Sequence, residues 1–196
     1  MKIGLLGGSF DPVHKGHIKL GRSALRQLKL QKIFFVLAPR PPHKFPNVLA
    51  PVSARLKMLR LSLKGEKNMK VATWELKREG PSYTITTLKD LKRLHPRDEI
   101  FFIMGSDTFQ GFGNWENPEG ILRLAKVAVG IRPGTEKVAI KKGWRDRVLL
   151  LRGRFPRFSS REVREKWENP RLLEKVLKKP VVGFIRTTEL YRHAHQ

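Results

Sequence analysis

Cysteine is absent from the 196 residues, which excludes disulfides, thiolate nucleophiles and cysteine-ligated zinc. Long apolar runs are lacking too. The first, residues 3–6, is too short for the core of a signal sequence, and Asp11 closes that window. No later run approaches the roughly 20 residues of a membrane-spanning helix, so a soluble, cytoplasmic chain is expected. Acidic residues are scarce: 17 Asp and Glu stand against 41 Lys and Arg, a formal charge of +24. The surplus is spread along the whole chain and favours anionic partners, whether nucleotides, nucleic acid or an acidic surface, without choosing among them. There is no internal repeat, no low-complexity tract and no break in composition. One domain over residues 1–196 is therefore the expectation.

What is present alternates between two patterns. Apolar runs without polar alternation, at residues 3–6, 33–37, 100–104 and 127–131, suit strands buried on both faces of a parallel sheet. Residues 71–74 and 148–151 add two shorter candidates. Between the runs lie helical patterns, such as Ile18, Leu20, Ala24, Leu25 and Leu28, or Leu56, Leu59 and Leu63 with Ser53 as a candidate cap and Arg55 in a packing role. The alternation predicts an α/β, Rossmann-like three-layer fold with a parallel sheet of about six strands.

The most informative stretch is Gly7-Gly8-Ser9-Phe10-Asp11-Pro12-Val13-His14-Lys15-Gly16-His17, a strand-to-helix loop. Two glycines let a ligand approach the backbone, and the helix start offers unpaired N–H groups to an anion. His14 and His17, three residues apart, would stabilise charge on a transferring phosphoryl group as imidazolium ions. Taken alone, the pair also fits two solvated or metal-binding histidines. The loop is not a Walker loop, because no Gly-Lys-Ser/Thr ends it, and it lacks G-x-G-x-x-G spacing.

Further along, chemistry-bearing residues stand at strand ends and helix starts. Asp107, in Gly105-Ser106-Asp107, follows a strand, where a carboxylate can accept hydrogen bonds from ribose or adenine. Arg132, in Arg132-Pro133-Gly134, is placed for a phosphate. Residues 141–147 read as a basic, solvated connection. Ser82 or Thr84 can cap a helix through Leu88 and Leu91, with its free amides turned to a carboxylate. Ser159 and Glu162 fit a capping box, Phe158 and Val163 the accompanying hydrophobic staple, so a helix is expected from Ser159. Its first turn, with Ser159, Ser160, Arg161 and Arg164, suits the β- and γ-phosphates of ATP. A plain, well-capped basic helix fits as well. The loop over residues 39–51, with Lys44, reads by composition as a rigid connector, and Trp115 reads as core.

The strings add specificity. Residues 7–17 resemble the H-x-G-H signature of the nucleotidyltransferase superfamily, and residues 158–164 its I-S-S-T-x-I-R element, with Phe158 for Ile and Arg161 for Thr or Ser. Pro41-Pro42-His43-Lys44, the run from Glu75 to Thr84, Gly-x-Asp followed by Trp115, Arg-Pro-Gly, and the ending from Pro180 to Tyr191 resemble one subfamily, the bacterial nicotinate mononucleotide adenylyltransferases. Ala38-Pro39 departs from the subfamily's usual loop. The resemblance implies transfer of adenylyl from ATP to nicotinate mononucleotide, with Mg²⁺, in NAD biosynthesis. It implies His14 and His17 as catalytic residues, and Gly8, Ser9, Phe10, Gly105, Asp107, Ser159, Ser160, Arg161 and Arg164 around ATP. Lys44, Ser82, Tyr83, Thr84, Ile85, Trp115 and Arg132 would hold the mononucleotide, Lys44 facing phosphate and Trp115 flanking the pyridine ring. Phosphopantetheine adenylyltransferases share both phosphate motifs but are usually shorter and lack the Pro-Pro-His-Lys and Pro-Ser-Tyr-Thr elements. A basic nucleic-acid-binding module is the alternative from another class, and unspecific binding of that kind follows from charge alone.

Overall fold

In the computed structural model, residues 1–42, 50–135 and 138–192 are described. Six strands form one sheet in the order β3-β2-β1-β4-β5-β6, every neighbouring pair parallel. They are β1 (Lys2–Gly8), β2 (Lys32–Leu37), β3 (Met69–Ala72), β4 (Glu99–Gly105), β5 (Lys126–Gly130) and β6 (Val148–Leu151). The helices between them are α1 (Lys15–Gln27), α2 (Val52–Leu63), α3 (Thr84–Leu94), α4 (Ser106–Gln110) and α5 (Pro118–Leu124). After β6 follow α6 (Ser160–Glu165), α7 (Pro170–Val176) and α8 (Lys179–Thr188). The fold is the α/β, Rossmann-like one that the alternating pattern predicts.

Period-two alternation divides the apolar residues between the two faces of the sheet. Phe101 and Ile103 of β4 join Ile33, Phe35 and Leu37 of β2 in the core beneath α1, α2 and α8. Ile100, Phe102 and Met104 join the core beneath α3 and α5. At Gly4 a Cβ would stand 2.7 Å from Ile33 and 2.9 Å from both Ile103 and Leu30, so only glycine lets α1's neighbours close on β1 at that point.

Several local expectations are corrected. β3 ends at Ala72, and Trp74 opens a 3₁₀ helix, Trp74–Lys77. Ser53 lies inside α2, and Pro51 holds the cap position without a side-chain bond. Neither Ser82 nor Thr84 caps α3. Tyr83 holds the cap position without a side-chain bond, and the Ser82 hydroxyl accepts the Arg40 amide instead (3.2 Å). Residues 141–147 are not merely a solvated connection, because Lys142–Arg147 forms a 3₁₀ helix that buries Trp144 edge-on against Phe112 (5.3 Å). Ser159 does cap, but as the residue before α6. Its hydroxyl accepts the Glu162 amide at 3.5 Å, while the Glu162 carboxylate faces Lys166 (3.4 Å) rather than closing the box.

Candidate active site

Strand order reverses between β1 and β4: the chain winds from β1 to β2 and β3 in one direction, and from β4 to β5 and β6 in the other. Crossovers diverge there and leave a crevice at the carboxyl ends, the usual ligand site of an open parallel sheet. Gly8, Gly105 and Gly130 end three of the strands at this edge.

The loop after β1 is fixed before it reaches its histidines. Phe10 adopts a left-handed backbone (φ 47°), costly for a bulky residue, and is held by burial against Phe35 (5.9 Å) and His17 (5.3 Å, edge-on). His14 then caps α1 in a reciprocal box built from two imidazoles. Its Nδ1 accepts the His17 amide (3.3 Å), and His17 Nδ1 accepts the His14 amide (3.1 Å). The rings stack at 3.7 Å with 22° between planes. With each Nδ1 turned to an amide, the Nε2 edge of each ring is the one directed away from the box. The box thereby fixes the direction of both rings.

The second signature is bound directly to the first. Ser160 Oγ donates to the Pro12 carbonyl (2.8 Å), and Arg164 Nη1 donates to the Asp11 carbonyl (2.8 Å) while lying 3.8 Å from Asp11 Oδ2. Phe158 meets the His14 ring edge-on (6.3 Å). Arg164 Nε is buried and has no hydrogen-bond partner among the described residues. From the chain's other end, the buried Tyr191 hydroxyl donates to Asp11 Oδ1 (2.9 Å). Burial, then the charge and hydrogen bond of Asp11, push that phenol far above its ordinary range, so it remains a donor.

Arg55 holds the loop from below. It is 2% exposed, and its guanidinium donates to the carbonyls of Ala50 (3.0 Å), Ser9 (3.0 Å), Ala38 (2.9 Å) and Pro39 (3.0 Å). Burial pulls its pKa down, and the nearby Asp11 charge opposes that. One side chain thereby sets the β1 loop and the loop after β2 at a fixed separation.

Across the crevice, Arg132 Nη1 pairs with Asp107 Oδ2 (2.7 Å), and a Cβ at Gly105 would stand 3.4 Å from Arg132 Nε. The Arg132 backbone is set by a hydroxyl relay. Ser106 Oγ accepts the Arg132 amide (3.0 Å), Thr135 Oγ1 donates to the Arg132 carbonyl (2.9 Å), and the two oxygens stand 2.5 Å apart. With the Thr135 proton spent on the carbonyl, Ser106 must donate to Thr135. Trp115 is half-buried against Phe102 (5.9 Å) and Phe112 (5.7 Å), in the same cluster as Tyr83 and Ile85 at the start of α3. The Thr84 and Ile85 amides have no hydrogen-bond acceptor among the described residues.

The expected residues thus fall into three adjoining groups. Gly8, Ser9, Phe10, His14 and His17 meet Ser159, Ser160 and Arg164; Gly105, Asp107 and Arg132 form a second group; Ser82, Tyr83, Thr84, Ile85 and Trp115 form a third. Arg161 stands apart, 81% exposed on its side chain and paired with Glu165 (2.7 Å). Lys44 lies outside the described residues. Asp11, Ser106, Thr135 and Tyr191 had no role expected from the sequence, and Arg55 only one in packing. Arg55 alone left a signal, as a charge on the buried face of α2 beside Met58, Leu59 and Ser62.

Among the described residues no three His, Asp or Glu side chains converge as a metal cage, and no helix is long and apolar enough to cross a membrane. Comparison with known proteins gives a consistent picture. The family described as cytidylyltransferase-like matches residues 5–166. The chain is 43% identical over 134 residues to a probable nicotinate-nucleotide adenylyltransferase of Thermus thermophilus, covering 68% of this chain and 71% of the relative. It is 31% identical to one of Thermomicrobium roseum, covering 97% and 92%. Its fold is similar to that of Plasmodium falciparum nicotinic acid mononucleotide adenylyltransferase complexed with NaAD, with a TM-score of 0.76, 21% identity and 97% of each chain covered.

Proposed function

Since the chain belongs to the cytidylyltransferase-like family and, within it, to the nicotinate-nucleotide adenylyltransferases, we infer that it transfers the adenylyl group of ATP to nicotinate mononucleotide. The products are nicotinate adenine dinucleotide and pyrophosphate, in NAD biosynthesis. The observation that carries the reading is the joining of two phosphate-binding elements, 148 residues apart, through Ser160 and Arg164 over the histidine box.

The chemistry asks for alignment and charge neutralisation. An oxygen of the mononucleotide 5′-phosphate, already anionic, attacks the α-phosphorus, and the bond to the β-phosphate oxygen breaks with its electron pair leaving on pyrophosphate. No proton has to be removed from the nucleophile and no protein nucleophile is needed. His14 and His17 direct Nε2–H donors at the α- and β-phosphates, where negative charge grows. Gly8, Ser9 and Phe10 line the backbone path of ATP, with Gly105 and Asp107 beside its ribose. Ser159, Ser160 and Arg164 meet the β- and γ-phosphates, and the buried Nε of Arg164 is a donor ready for one of them. Arg161 joins them by leaving Glu165, an exposed helical pair worth only about 0.3–0.5 kcal/mol. Arg132 exchanges Asp107 for the mononucleotide phosphate, and the subfamily resemblance assigns Lys44 to the same phosphate. Trp115 flanks the pyridine, and the turn Ser82-Tyr83-Thr84-Ile85 receives its carboxylate. Mg²⁺ belongs to the same proposal: with no three-ligand cage among the described residues, phosphate oxygens and water would hold it and it would neutralise the triphosphate. A cytoplasmic location is part of the same proposal.

Pyrophosphate release with ATP and each of nicotinate mononucleotide, nicotinamide mononucleotide and phosphopantetheine tests this function. The expected order is nicotinate mononucleotide first, with the amide roughly 5- to 150-fold lower in kcat/KM, because a carboxamide turns N–H groups toward donors. Equal values for the two mononucleotides, or a preference for phosphopantetheine, would overturn it.

A further inference from the structure

Behind the α3 turn lies a buried carboxylate that the transfer chemistry does not use. Glu75 is 6% exposed, in the short 3₁₀ helix that follows β3. Its Oε1 accepts the hydroxyl of Thr87 (2.5 Å), itself 1% exposed. Thr87 Oγ1 in turn accepts Arg78 Nη1 (2.9 Å), and the other arm of Arg78 is paired with Asp90. Glu75 Oε2 is buried with no hydrogen-bond partner among the described residues. Burial pushes the pKa of this carboxyl up, opposed in turn by Thr87, Ser82 and Arg78, which favour its charged form.

A buried carboxylate is costly, and an apolar residue would fill the space more cheaply. Its contacts indicate what the charge does. Ser82 enters the turn, bonded both ways to Arg40: its hydroxyl accepts the Arg40 amide and its amide donates to the Arg40 carbonyl (2.9 Å). Thr87 stands one helical turn further on. The acceptor-free amides of Thr84 and Ile85 lie between them in sequence. Glu75 thus holds the helix one turn beyond these two donors through Thr87, and Ser82, just before them, is tied to Arg40.

We propose that Glu75 is the positioning residue of this turn, holding the start of α3 through Thr87 so that the Thr84 and Ile85 amides keep the direction that separates a carboxylate from a carboxamide. The inference rests on the nicotinate mononucleotide reading above. A carboxylate substrate rewards two fixed donors, whereas a carboxamide punishes them, so discrimination depends on their rigidity more than on their presence.

Glu75→Gln keeps the shape and removes the charge, and Thr87→Val removes the hydroxyl link. Steady-state constants for both mononucleotides and for ATP, together with thermal midpoints, form the test. Both variants are expected to raise the KM for nicotinate mononucleotide roughly 5- to 100-fold and to shrink its advantage over the amide by a similar factor. The KM for ATP and kcat should stay within about twofold, a split that general destabilisation does not produce. Should Glu75→Gln fail to fold, Thr87→Val carries the test. A lowered midpoint with an unchanged mononucleotide KM and an unchanged preference would overturn the inference and leave Glu75 a packing residue. A wild-type enzyme idle with nicotinate mononucleotide would overturn the functional reading and this inference together; an active wild type with unaltered variants overturns the inference alone.

Discussion

A His17→Ala enzyme is expected to fold and to lose on the order of 100-fold or more in turnover. His17 makes two separable contributions. Its Nδ1 accepts the His14 amide in the box that starts α1, and in the proposed mechanism its Nε2 side meets the phosphates. Losing the cap contact costs about 1 kcal/mol of stability, since the reciprocal bond from the His17 amide to His14 Nδ1 survives the substitution. Losing the donor costs far more in rate, because it acts where charge develops in the transition state. The variant should therefore show an almost normal melting curve, a substrate KM close to wild type and a collapsed kcat. A folded His17→Ala protein retaining more than about a third of the wild-type rate would remove His17 from the mechanism.

The second large effect concerns Arg55, which touches no substrate. Arg55→Met keeps much of the side-chain volume but leaves the carbonyls of Ser9, Ala38, Pro39 and Ala50 without their shared donor. Buried acceptors stripped of a charged partner cost about 1–3 kcal/mol each, and removing one member of a buried charged network typically costs about 3–5 kcal/mol. A loss of at least about 3 kcal/mol is expected, or roughly 6–12 °C in thermal midpoint for a domain of this size. Denaturant unfolding measures it directly. A change below about 1 kcal/mol would mean that the loops are held elsewhere.

Those two residues show what a sequence can reveal and where it stops. The strands were legible because a parallel sheet covered on both faces demands continuous apolar runs, and the runs at residues 33–37 and 100–104 sit within β2 and β4. His14, His17 and Ser159 were legible because helix starts and glycine turns are local, set by residues within four positions. What stayed hidden is made by long-range pairing. Tyr191 reaches Asp11 across 180 residues and Ser160 reaches Pro12 across 148, and no periodicity encodes either contact. Ser82 was misread as a cap for a related reason: its hydroxyl had a local use available and took a partner 42 residues away. Which nitrogen of each histidine meets an amide was equally out of reach, because it depends on how the two rings pack against each other.

Direct adenylyl transfer between two nucleotides aligned over the histidine box needs no protein nucleophile. One diastereomer of ATP carrying sulfur at the α-phosphorus, offered with nicotinate mononucleotide, puts this to the test. A single in-line displacement inverts that phosphorus. The predicted result is nicotinate adenine dinucleotide phosphorothioate of inverted configuration; retained configuration, or no dinucleotide at all, would contradict the account.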